Sequence, residues 1–412
     1  MAFTHRNNVS IVSAILPAAR ALDVIESMFD LGEQNALMLN ARGTLVRDRW
    51  FQEFLPFISP ELEYLQFLVP DAEVDTIIEH IAARGQLHRP GAGAVFAVPC
   101  SDVEYGDDFS LWTSFDDSDV SDSAARFKEN LTAIFCIAQP DQVDAISRAA
   151  MNAGAHGPAI FYCDGRGLRD RLGWLRITKK NDKEVIAVIV DNVDKIAVTE
   201  AMIDAGKLDM PGRGFLYRMP VAKGLINLPT TINNRGNTAN MQQIIAAIDS
   251  IKGSTDWRDQ SVVELGAAGK GAGLQLFNRF RKRQWLTDQT CFGCIVSRKW
   301  SDVVMDAILA AGANGANVSF ARFIDADSEK TATGLRLNQE RGIIRCILDA
   351  RLLNEVTDSV KRVCEANHID DVLLFRQPIT RAITYGGADG ASVSATPRKV
   401  PAGRSQPVPQ AS

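Results

Sequence analysis

Phosphate chemistry asks for glycines that let a backbone approach an anion closely, beside cations that neutralise it. The stretch AGKLDMPGRGFLYRMP, from Ala205 to Pro220, has that composition: Gly206, Gly212 and Gly214 stand with Lys207 and Arg213. The same residues suit a tight helix-to-strand turn, which glycine and proline also favour. A second stretch, HRPGAGAVF from His88 to Phe96, keeps Pro90, Gly91 and Gly93 but has Ala92 in place of the cation. A third, ANHIDDVLLF, has no glycine, so a third cradle is not expected.

Other chemistry is poorly served. GAAGKGAG at Gly266 to Gly273 lacks the Ser/Thr that follows the lysine of a phosphate-binding loop, and its glycine spacing is wrong. Cys291-Phe-Gly-Cys294 is a lone CxxC on a strand, where residues three apart face opposite sides, which suits neither zinc nor a redox turn. The five histidines form no pattern, and no Ser/His/Asp set or poised carboxylate pair is identifiable. The chain reads as a binding protein, not an enzyme, with no metal site.

The three stretches end alike, in AVFAVPCSD, FLYRMPVAK and LLFRQPITR, each with an aromatic three residues before Pro99, Pro220 or Pro378. Upstream of each proline the same elements recur. An apolar strand (VSIVSAIL, LTAIFCIA, CFGCIVS) precedes a helix with apolar residues at three- and four-residue intervals, which stops at Gly32, Gly154 or Gly312. A second strand runs into a polar excursion of roughly 15 to 20 residues, unusually long for a compact domain. A third strand, a second helix and the aromatic-proline strand complete a β-α-β-β-α-β unit, the ferredoxin-like pattern, written three times. The expected fold class is α+β, with units at 8–103, 130–226 and 290–385. An acidic linker (104–129) and a second linker (227–289) with a helix-like run and a basic cluster join them, and a Gly/Ser/Pro-rich tail (386–412) is expected to be disordered.

Bulk composition fits several domains. The chain has 412 residues, 46% of them apolar, and 45 basic against 50 acidic side chains give a net charge of -5. That balance creates no field toward nucleic acid or acidic lipid. The longest apolar runs fall well short of the about 20 residues a membrane helix needs, so no membrane insertion is expected. Seven scattered cysteines and the lack of an export signal lead to a cytoplasmic expectation.

The second unit, with AGAHGPAIFYCDGRG and then KEVIAVIVDNVDKIAVTEAMIDAGKLDMPGRGFLY, resembles a PII signalling protein of the nitrogen-regulatory class. Paired glycines Gly154 and Gly157, the Gly165/Gly167 pair at the mouth of the long loop and the AGK…GxG…F segment carry the likeness. The resemblance implies a single-chain pseudo-trimer with an adenine nucleotide (ATP, ADP or AMP) as effector in clefts between units. By the same likeness, Gly43 marks the loop mouth of unit 1, and Lys223 and Arg381 are the cations of the segment after the last strand. Lys183 and Arg341 take the place of a family lysine that contacts phosphate, where unit 1 has Leu62.

The long loops depart from the family. The glutamine that helps hold magnesium and 2-oxoglutarate is missing near Arg169, which leaves magnesium open, and no tyrosine is present for modification. Instead they pair arginine with tryptophan: Arg47, Arg49 and Trp50, then Arg169, Arg171 and Trp174. These residue types anchor protein interfaces. The expectation is a PII-like regulator of an unidentified protein, with a membrane transporter among the candidates; the alternative is a scaffold whose clefts have decayed.

Overall fold

The computed structural model describes residues 2–44, 61–89, 91–112, 127–167, 182–228, 285–326 and 339–384. The first segment runs β1 (Thr4–Arg6), β2 (Val9–Pro17), α1 (Ala18–Asp30), β3 (Asn35–Gly43), β4 (Glu61–Pro70), α2 (Val74–Arg84), β5 (Gly93–Cys100) and β6 (Asp102–Tyr105). The second has β7 (Leu131–Ala138), α3 (Pro140–Asn152), β8 (Ala159–Gly167), β9 (Asp182–Asp191), α4 (Lys195–Gly206), β10 (Gly214–Val221) and β11 (Lys223–Asn227). The third has β12 (Gln289–Ser297), α5 (Ser301–Ala310), β13 (Gly315–Asp325), β14 (Gln339–Asp349), α6 (Leu353–Asn367), β15 (Val372–Pro378) and β16 (Arg381–Ile383). The result is a mixed α/β protein dominated by one large antiparallel sheet, with six α-helices among the described residues.

Within each segment the four long strands pair in the order fourth, first, third, second: β5-β2-β4-β3, β10-β7-β9-β8 and β15-β12-β14-β13. The strands read as continuous apolar runs because both faces are covered. In β7, Ile134, Cys136 and Ala138 pack under α3 and α4, whereas Ala133 and Phe135 join a core shared by all three segments. The aromatics ahead of the prolines, Phe96, Tyr217 and Phe375, all point into that shared core. Their repetition in the sequence therefore marks a place where three segments meet. The first helices end at Gly32, Gly154 and Gly312, with φ of 111°, 107° and 103°.

Pairing between segments follows two closed cycles. The short terminal strands each leave their own segment: β6 pairs with β15, β11 with β5 and β16 with β10. The second strands pair with one another, one end each: Asn35–Met38 of β3 with the end of β13, Gly315–Val318 of β13 with the end of β8, and Ala159–Phe161 of β8 with the end of β3. The residues just before each segment then add to that segment's own terminal strand, β1 on β6, Lys128 on Gly224 and Leu286 on Ala382.

Candidate functional site

The glycine loop of the second segment begins where α4 ends. Lys207 adopts a left-handed conformation (φ 49°, ψ 46°) as the helix C-cap, and two successive turns follow, Met210 N–H to Lys207 C=O and Arg213 N–H to Met210 C=O. Gly214 is compulsory, because a Cβ there would lie 2.5 Å from the Ile137 carbonyl oxygen at φ 151°. The first segment repeats the device: Ala92 N–H bonds Arg89 C=O, and a Cβ on Gly93 would lie 2.1 Å from the Ile15 carbonyl oxygen. Gly93 and Gly214 are thus explained by close approach to the first strand. What remains for an anion is Gly91 in one loop, and Gly212 with the exposed Lys207 and Arg213 in the other.

Sheet register brings the other second-segment residues to the same end. Ala138 lies opposite both Gly214 and Glu184, and Cys163 lies opposite Lys183. A Cβ on Gly165 would sit 3.1 Å from Lys183 Cγ, so the glycine makes room for the lysine stem. The third segment completes this seam. Gly167 lies opposite Gly315, Arg166 bonds Asp302 and, at 3.2 Å, Asp306, and Thr384 Oγ1 donates to Gly214 C=O at 3.0 Å. Arg381 lies opposite Arg218, with both guanidiniums near the Trp285 ring, at 5.8 and 5.5 Å. Sequence reading missed Trp285, whose only signal is its place immediately before the third segment.

The seam between the first and second segments is charge-neutralised. Lys223 Nζ lies 2.8 Å from Asp75 Oδ1 and 3.9 Å from Glu79 Oε1, with Phe127 at 5.4 Å. Gly43 lies opposite Ala159 at the base of this seam.

At the third seam, between the first and third segments, the expected cation is already paired. Arg341, expected to reach a phosphate, is 3% exposed, pairs with Asp371 and lies 4.2 Å over the Phe323 ring. Residues 106–112, read from sequence as part of the acidic linker 104–129, pack here: Gly106 N–H bonds Val372 C=O, Asp108 N–H bonds Asp370 C=O, and Phe109 and Leu111 are buried. The alternation of Phe109 and Leu111 within an acidic run is the signal that could have disclosed this. Arg47, Arg49, Trp50, Arg169, Arg171 and Trp174 lie outside the described residues, as do most of both linkers and the tail.

No protein-family model and no curated protein matches the chain. Among solved structures, an unknown protein from Galdieria sulphuraria is 12% identical, covering 61% of this chain and 100% of its own, with a TM-score of 0.19. Aspartate kinase from Synechocystis is 7% identical over 91% of this chain and 44% of its own, TM-score 0.20. An alkyldihydroxyacetonephosphate synthase is 6% identical over 80% and 48%, TM-score 0.15. These likenesses carry no functional inference.

The cysteines are buried, and burial pushes the Cys136, Cys163 and Cys291 thiols up to about 12, so they present no thiolate near neutral pH. No metal-binding cluster occurs among the described residues, and none of their helices is long and apolar enough to cross a membrane.

Proposed function

We propose that the chain is a PII-like signalling protein: three ferredoxin-like units in one polypeptide form a pseudo-trimer that binds an adenine nucleotide between its second and third units. The observation that carries this reading is that the glycine loop with Lys207, Gly212 and Arg213 lies at the same end of the second segment's strands as Lys183, Gly165 and Gly167, with the third segment's Thr384 bonded to Gly214. The two cycles of strand pairing support the pseudo-trimer, since each segment lends an edge to one neighbour and borrows one from the other.

In this reading the protein acts by binding, not by catalysis. Phosphate neutralised by Arg213 and Lys207 fixes the base of the loop after Gly167, which alters the surface that Arg169, Arg171 and Trp174 offer a regulated protein. A membrane transporter is one class of partner consistent with the resemblance.

Calorimetric titration with ATP, ADP and AMP, with and without magnesium, tests the reading. The expected stoichiometry is at most two nucleotides per chain, with the second–third seam the tighter site. Three equivalent sites would overturn it. The neutralised Arg341 and Lys223 favour the scaffold alternative, which gains if none of the three nucleotides binds.

A further inference from the structure

The three seams provide an internal comparison. At one register position each terminal strand places a side chain opposite the neighbour's fourth strand: Asp102 opposite Arg376, Lys223 opposite Ala97, and Arg381 opposite Arg218. An aromatic from the residues preceding a segment lies beside a cation at each: Phe3 beside Lys361, Phe127 beside Lys223, and Trp285 beside both Arg218 and Arg381.

Two seams satisfy the charge. Arg376 reaches Asp102 at 2.9 Å and Glu104 at 3.2 Å, and Lys223 reaches Asp75 at 2.8 Å. The second–third seam sets two guanidiniums against each other. Arg218 is only 8% exposed, and its Nε has no hydrogen-bond partner among the described residues. Burial, then the charge of Arg381, lowers its pKa, while Glu200 of α4 acts in the opposite direction. Among the described residues two cations, the exposed Arg381 and the buried Arg218, thus face one carboxylate, and incomplete compensation of a buried charge is costly.

We propose that the second–third seam holds an oxyanion site in which a phosphoryl group bridges Arg218 and Arg381 beside Trp285. Each planar guanidinium offers paired donors that match phosphate oxygens, and the indole ring steadies both cations. The site stands on the seam's own geometry. Arg218 lies four strand residues from Gly214, about 13 Å away at roughly 3.3 Å per residue, so it is separate from the glycine loop. The phosphoryl group comes either from free phosphate or from a nucleotide reaching across from that loop.

Tryptophan fluorescence tests this on the full chain at constant ionic strength. Inorganic phosphate should give a saturable change in emission that disappears in Trp285→Phe, and Arg381→Gln should weaken the response at least tenfold. In phosphate-free buffer Arg381→Gln should melt at the parent's temperature or above it, because one of two opposed charges is gone. Arg213→Ala distinguishes the sources: a response evoked by ATP or ADP and weakened in that variant assigns the group to the nucleotide, whereas a phosphate response unchanged in it assigns a free anion. If neither phosphate nor nucleotide alters Trp285, or if Arg381→Gln responds like the parent or melts lower, the site does not exist. A phosphate response without nucleotide binding would retain this site and reject the nucleotide reading.

Discussion

Glu33 is fully buried at the turn between α1 and β3, where Oε1 accepts the Gln34 N–H and Oε2 has no partner among the described residues. Burial is the largest influence and holds its carboxyl well above the ordinary range. A folded state that binds this proton more tightly than the unfolded chain loses stability as pH rises from the ordinary Glu value toward the folded one. Glu33→Gln should therefore match the parent below about pH 4.5 and exceed it at pH 7 to 8, as followed by thermal denaturation across pH. Equal melting temperatures at pH 8 would contradict the assignment. Arg213 is the complementary surface case. A charge-assisted bond to phosphate contributes roughly 1.5 to 3 kcal/mol, so Arg213→Ala should weaken nucleotide binding by about 10- to 150-fold. If the residue only decorates a turn, calorimetry will find unchanged affinity, and in either case unliganded stability should move by no more than about 0.5 kcal/mol.

At the scale of elements, the first and fourth strands of each segment face each other through a pair that differs every time: Ser13 with Phe96, Phe135 with Tyr217, and Gly293 with Phe375. Phe375 lies directly over the glycine, and a Cβ on Gly293 would fall 2.0 Å from its ring. Gly293→Ala should cost about 1 to 3 kcal/mol by overpacking, measured by urea denaturation, and Phe375→Leu in the same chain should restore part of the loss. Additive effects would mean that the two do not compete for space. Strand and helix order was legible because both periods are local: apolar runs for strands covered on two faces, and three-to-four spacing for helices. The exchange of terminal strands was not, since Lys223 finds Ala97 more than a hundred residues away and nothing nearby in the sequence specifies that partner. The glycine loops were half legible. Composition could not reveal that the Ile15 and Ile137 carbonyls require Gly93 and Gly214, or that Asp371 neutralises Arg341.

For the whole molecule, the cyclic pairing means that no segment is complete alone, and the order in which the chain emerges during synthesis gives the three seams different histories. β11 can close on β5 as soon as Asn227 has been made, because its partner already exists. β6 and β10 must wait for β15 and β16, and the ends of β3 and β8 wait for β13. Unpaired edges of this kind template association with other chains. A fragment of residues 1–228 should therefore form mixed oligomers in gel filtration with light scattering, whereas the full chain should run as one discrete species; a monodisperse, protease-resistant fragment monomer would show that the waiting edges are protected. The last seam to close, through Arg381–Ile383, is also the one bearing Trp285 and the opposed arginines. An anion that bridges them would thus act on the final joint of the particle, stabilising a finished chain while having nothing to hold in an unfinished one.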